Sequence, residues 1–219
     1  MPRTEVMLVR HSESVWNLEG RFQGHRDSPL TEVGIGQARA IAQRLSCLPF
    51  SLLYTSDLGR AHTTAKIIGE VCSCRIVVDK RLRERNLGIF EGLRREELNN
   101  VHPEEYRAYK TSGPDYRIPN GESARQRFVR IVQCLEEIAE RHRGETIVVV
   151  SHGGVLESLF RHALGIPLEA ERRFKLLNCS MNIFFWESSR WSLRTWGDVA
   201  HLQSLRVLDD IYDLPEGTL

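Results

Sequence analysis

Short unbroken apolar runs alternate along this chain with longer stretches in which apolar residues recur every three or four positions. Residues 5–10, centred on Val6-Met7-Leu8-Val9, and residues 146–151, centred on Ile147-Val148-Val149-Val150, read as strands buried on both faces. Residues 51–55 and 75–79 carry shorter runs of the same kind. Between the strands the period becomes helical. Thr31 predicts an N-cap with Glu32 at the positive end of the helix dipole, Ala38, Ile41, Ala42 and Leu45 share one face, and Pro49 ends the element. Ser56 predicts the cap of a helix over 57–71, whose Ala61, Ala65 and Ile68 fall together. A longer helix over about 122–142 carries a stripe of Phe128, Ile131, Val132, Leu135, Ile138 and Ala139, and another helix follows over 153–164. Residues 181–186 and 191–196 read as a final strand pair, antiparallel because only residues 187–190 join them.

This order predicts an α/β fold: a three-layer sandwich with a mostly parallel central sheet, an antiparallel edge strand and helices on both faces. Residues 80–121 break the alternation. They are charged, rich in Gly and Pro, and hold helical pieces near 94–100 and 104–110. Their tyrosines, Tyr106, Tyr109 and Tyr116, predict an ordered cap insertion at about 85–121. The chain 1–219 is expected to be one domain around one core with that cap.

Composition excludes more than it suggests. Thirty Lys and Arg against 29 Asp and Glu give a net charge of +1, so charge alone predicts neither nucleic-acid nor membrane binding. No apolar stretch is long enough for a transmembrane helix, and the N-terminus enters the first strand without a signal-peptide core. Five cysteines, an odd number without framework spacing, argue for reduced thiols and a cytoplasmic setting, and against a zinc site.

The chemistry sits at the ends of two strands. The first finishes in Arg10-His11-Ser12 and the second in Ser151-His152-Gly153-Gly154. Ligands of open α/β sheets bind beyond the carboxyl ends of strands. Two strands that each deliver a histidine there place both imidazoles in one crevice, and Arg10 suggests a crevice built for an anion. Arg60, after the Thr55-Ser56-Asp57 cap, adds a second cation near a helix N-terminus. A phosphoryl-accepting His11 must present one neutral ring nitrogen while a backbone carbonyl holds the other.

The segment Leu8-Val9-Arg10-His11-Ser12-Glu13 with Asn17 resembles the signature of the histidine phosphatase superfamily, in its phosphoglycerate mutase-like branch. The resemblance continues in order through Gln23-Gly24, Asp27-Ser28-Pro29-Leu30-Thr31, Tyr54 to Ala61, Leu82-Arg83-Glu84, Glu91-Gly92, Gly121-Glu122-Ser123 and Ser151-His152-Gly153. Asn178-Cys179-Ser180, Trp196-Gly197-Asp198 and His201-Leu202 look like bacterial phosphatases that carry mutase names.

The resemblance implies a metal-independent phosphomonoesterase that acts through a phosphohistidine on a small phosphorylated metabolite, with no cofactor and no metal. Within it His11 is the nucleophile, Arg10, Arg60 and His152 surround the phosphoryl oxygens with His152 protonated or hydrogen-bonding, and Glu84 is the acid/base; Glu13 is the second candidate by its place in the same first loop, though the family pattern gives that position a lesser role. Asn17, Gln23, Gly24 and the Gly153 N–H complete the phosphate site. Ser12 stands where the family usually has glycine; with a negative φ it fits, and its hydroxyl is then a further phosphate donor. The segment 85–121 is shorter than the insertion of the family's mutases, which favours phosphatase over a 2,3-bisphosphoglycerate-dependent phosphoglycerate mutase. A non-catalytic phosphate-binding regulatory module is the alternative of another class. His25, His62, His102, His142 and His162 are expected at surface or helix positions, and Trp186, Trp191 and Trp196 in packing. The final edge strands leave a homodimer open.

Overall fold

Six strands, β1 (Thr4–Arg10), β2 (Leu52–Thr55), β3 (Ile76–Val78), β4 (Thr146–Ser151), β5 (Met181–Glu187) and β6 (Arg190–Asp198), pair in the order β3-β2-β4-β1-β5-β6 in the computed structural model, which describes residues 2–209. The expected domain extent of 1–219 runs beyond these residues at both ends. β1 to β4 are mutually parallel, while β5 runs antiparallel to β1 and β6 to β5. The link between β5 and β6 turns on Ser188 and Ser189, both with φ near +55° (50° and 58°), as a two-residue hairpin turn whose twist matches its strands requires.

Because side chains alternate across a strand, the continuous apolar run of β1 serves two cores. Val6 and Leu8 pack with Val149, Ile131, Leu135 and Leu159, beneath α6 (Ala124–Arg141) and α7 (Gly153–Leu164). Met7 and Val9 pack with Val150, Ile41, Leu45, Ala61 and Ile68, beneath α2 (Glu32–Ser46) and α3 (Gly59–Cys72). The three-layer α/β sandwich read from the hydrophobic pattern is the fold that forms. A short α1 (Val15–Leu18), boxed by Ser14 and Asn17, was not legible in that pattern.

Thr31 caps α2 as expected, accepting the Gly34 N–H at 2.9 Å. Ser56 does not cap α3. That helix begins at Gly59 with no cap from its own Leu58, and Asp27 from a distant loop accepts the N–H groups of Gly59 and Arg60. Ser56 instead accepts the Leu58 N–H at 3.2 Å.

A third, smaller core gathers Leu87, Phe90, Leu98, Tyr106 and Ile118 around Phe22 from the loop after α1. It holds α4 (Arg95–Val101) and α5 (Pro103–Thr111). Backbone bonds stitch the two segments, Phe22 N–H to Leu93 at 2.9 Å and Gly92 N–H to Phe22 at 2.7 Å. No described helix is long and apolar enough to cross a membrane.

Candidate active site

The register of the central strands sets the site. Arg10 lies opposite Ser151 at the carboxyl ends of β1 and β4, and the His11 N–H donates to the Ser151 carbonyl at 2.7 Å. The next residue on each strand is therefore a histidine, and the two imidazoles meet with centroids 5.2 Å apart at 60°. Arg10, His11, Asn17, Gln23, Gly24, Arg60, Glu84 and Gly153 all line one cleft. His152 is wholly buried, its ring against that of His11.

His11 Nδ1 is 2.8 Å from the carbonyl oxygen of Ser12. A carbonyl only accepts, so Nδ1 carries the proton and Nε2 keeps its lone pair for the cleft. Burial, then the charges of Arg60 and Arg10, push the His11 pKa well below the ordinary histidine value, so the ring is neutral. The same forces, with His11 itself added, push His152 down as well. Both shifts favour neutral rings, and so the hydrogen-bonding option for His152 over the protonated one. Both ring nitrogens of His152 are buried without a hydrogen-bond partner among the described residues. A buried polar ring in that condition is costly unless a ligand completes it.

The arginines are held rigid from behind. Arg60 donates to the Arg26 and Gly24 carbonyls and to Asp27, each at 2.9 Å. Arg10 donates to the Leu176 carbonyl. Gly24 adopts φ +55°, and a Cβ there would strike the Glu91 carboxylate, which itself anchors the N–H groups of His25, Arg26 and Leu87. The Asn17 oxygen accepts the Ser14 N–H at 3.1 Å, and the Ser14 hydroxyl lies 3.0 Å from Gln23 Oε1. Both amides thus have their oxygens engaged, which leaves their NH₂ groups for an anion.

Glu84 is fixed by backbone donors, Arg85 N–H at 2.7 Å and Gly154 N–H at 2.8 Å. Glu13, the second candidate for the acid, is excluded by geometry. It has no exposure, and Thr31 and Arg206 occupy both its oxygens. Ser12 takes a negative φ, but its hydroxyl faces Cys179 Sγ at 3.5 Å and its N–H donates to Thr64, so it does not reach the cleft. His25 is not a bystander on the surface: its Nε2 lies 3.0 Å from the Glu84 carbonyl.

Sequence reasoning missed another part of the wall. Arg127, Glu157 and Arg85, with Tyr109, Phe22 and Leu176, line the same cleft. Arg127 pairs with Glu157 at 3.2 Å, and Glu157 with Arg161 at 2.8 Å, a buried triad between α6 and α7. The i,i+4 spacing of Glu157 and Arg161 was readable; their pairing with Arg127 across helices was not. Arg85 stacks 5.3 Å from the Tyr109 ring and donates to the Glu122 and Tyr116 carbonyls.

Two histidines at adjacent strand ends, walled by rigid arginines and backed by a carboxylate, define an α/β phosphoryl-handling site. The chain belongs to the histidine phosphatase superfamily, branch 1, whose model matches residues 6–199. It is 41% identical to a metal-independent phosphoserine phosphatase of Arabidopsis thaliana over 96% of this chain and 88% of that one. It is 42% identical to a probable phosphoglycerate mutase GpmB of Photorhabdus laumondii, over 91% and 95%. A phosphoserine phosphatase mutant from Entamoeba histolytica, solved in complex with phosphoserine, superposes with a TM-score of 0.80 at 28% identity, over 91% of this chain and 99% of that one.

Proposed function

We propose that this protein is a metal-independent phosphomonoesterase that turns over through a phosphohistidine at His11. One observation carries the reading: a neutral imidazole, its Nδ1 pinned by a backbone carbonyl, shares one cleft with two buried, immobilised arginines.

In the first half-reaction the His11 Nε2 lone pair forms a bond to phosphorus as the ester P–O bond breaks. Glu84, protonated at that moment, gives its proton to the leaving oxygen. Arg10, Arg60, the amides of Asn17 and Gln23, the Gly153 N–H and one N–H of neutral His152 stabilise charge on the equatorial oxygens. In the second, Glu84 takes a proton from water as its oxygen attacks phosphorus. The P–N bond breaks, inorganic phosphate leaves and His11 is neutral again. The arginines supply the positive charge that a cation supplies elsewhere.

Two comparison proteins are named for phosphoserine. Arg127 and Glu157 offer a buried cation and anion to the carboxylate and ammonium of such a leaving group. The GpmB likeness keeps a mutase as the second reading, and a requirement for 2,3-bisphosphoglycerate priming separates the two. Five free thiols support a reducing, cytoplasmic setting for it. β6 at the sheet edge leaves a homodimer open, a state that sedimentation measures.

The test is chemical. Phosphorus-labelled substrate should leave an acid-labile, base-stable label on the protein in the presence of chelator. His11→Ala should abolish label and turnover together. A fully active His11→Ala variant, or strict dependence on added Mg²⁺ or Zn²⁺, overturns the mechanism.

A further inference from the structure

The last described residues bond to the neighbours of the nucleophile without lining the cleft. Arg206 places its guanidinium on both oxygens of Glu13, at 2.9 and 2.7 Å, two residues beyond His11. The Arg206 carbonyl accepts Gln37 Nε2 at 2.6 Å, and Gln37 Oε1 accepts the Glu13 N–H at 2.9 Å. Three residues thus form a closed ring of bonds, with Glu13 and Gln37 fully buried in it. A second route runs along the neighbouring loop. Asp209 accepts the Leu176 N–H at 2.7 Å, and the Leu176 carbonyl accepts from Arg10. The Leu208 carbonyl accepts the Asn178 N–H at 2.9 Å, and Asn178 Nδ2 donates to the His11 carbonyl at 3.1 Å. Leu205 and Val207 anchor the segment on the α2–α3 side of the core.

We propose that residues 205–209 are a positioning strap for the phosphate site, with Arg206 and Asp209 as its two pins. Neither residue lines the cleft. Each acts through one intermediary: Arg206 through Glu13 on the backbone that carries His11, and Asp209 through Leu176 on the guanidinium of Arg10. The carboxylate of Glu13, conspicuous in the signature beside the nucleophile, is on this account the strap's anchor and takes no part in proton transfer. The purpose is preorganisation. A donor aimed at a transferring phosphoryl group works only when held within a fraction of an ångström, and misplacement by 1 Å can cost on the order of 100-fold.

The proposal rests on the phosphatase reading, and its experiment separates the two. Asp209→Leu removes the acceptor for the Leu176 N–H, whereas Asp209→Asn keeps an oxygen there. Arg206→Met opens the ring at Glu13. Orthovanadate affinity and the single-turnover rate of His11 phosphorylation are measured well below the unfolding temperature, with the folded fraction checked by circular dichroism. Asp209→Leu and Arg206→Met should each lose about 10- to 100-fold in both quantities, while Asp209→Asn stays near wild type in vanadate affinity. Wild-type behaviour of folded Asp209→Leu overturns the strap, as does an equal loss in Asp209→Asn. If one variant does not fold, the other decides. Wild-type protein that binds no vanadate and forms no phosphoenzyme overturns the phosphatase reading instead, a result seen before any variant is compared.

Discussion

Gly154→Ala should separate the stability of this protein from its chemistry. Gly154 lies in the first turn of α7 with no positive φ, so alanine suits its backbone, and helix propensity favours the change by up to ~1 kcal/mol. The new Cβ would overlap Glu84 Oε1, and would lie 3.0 Å from Glu84 Cδ and 2.7 Å from Arg127 Nη1. These are far ends of flexible side chains, so the fold yields cheaply and the carboxylate moves. To restore ordinary contact it must retreat by roughly 1 Å, which disturbs the bonds of Oε1 to the Arg85 N–H and of Oε2 to the Gly154 N–H and costs about 100-fold in rate, or ~2.7 kcal/mol of barrier. The assay is single-turnover phosphorylation of His11 from two donors. Phosphoserine has an alkoxide that leaves badly without a proton; p-nitrophenyl phosphate has a phenolate that leaves unaided. Gly154→Ala should lose about 100-fold on the first and far less on the second, as should Glu84→Gln within the ~10²–10⁴ range of general acid catalysis. Its thermal midpoint should stay level or rise. Equal losses on both donors would refute Glu84 as the acid and leave it a positioning role; an unimpaired Gly154→Ala enzyme would refute the geometry itself.

Two further outcomes follow from the buried charges. His11 and His152 both have folded pKa values well below 6.5, so they bind protons in the unfolded chain but not in the folded one; their contribution is complete above pH 6.5 and is lost as pH falls below it, by as much as about 1.4 kcal/mol per pH unit for each ring. Urea midpoints should therefore drop between pH 7.5 and 5.5, less steeply in His152→Asn, and a flat profile would sink the assignment of neutral rings. Arg127→Met removes the cleft-facing cation but leaves Glu157 paired with Arg161, so the fold should persist. Its KM for phosphoserine should rise about 10- to 100-fold, the worth of a charge-assisted hydrogen bond, with kcat/KM for p-nitrophenyl phosphate nearly unchanged; a uniform loss would mean that Arg127 only supports the wall.

How much of this was legible beforehand follows the range of the interactions. The apolar run 5–10, the runs at 51–55, 75–79 and 146–151, and the stripes of α2, α3, α6 and α7 are local patterns, and each formed within a few residues of where it was read. The cap of α3 was misplaced because its acceptor is Asp27, about thirty positions away, and no local rule sees that carboxylate. The meeting of His11 and His152 was legible because two strand ends carry them, and neighbouring parallel strands deliver equivalent residues to one crevice. Ser12 shows the limit even there: the residue was noticed, yet only the packing of Thr64 and Cys179 decided that its hydroxyl turns inward.

Sequence alone determined the class of fold and the kind of chemistry, because hydrophobic periodicity and the residues at strand ends are written in consecutive positions. Tertiary structure decided what surrounds that chemistry. It made both histidines neutral by burying them among arginines, placed Glu84 on the Gly154 N–H, brought Arg127 across two helices to Glu157, and turned Glu13 from a candidate acid into the partner of Arg206. Each of these depends on desolvation or on contacts between residues tens to nearly two hundred positions apart. Such contacts leave no period in the chain, and their energies exist only once water has been excluded and the partners fixed in place.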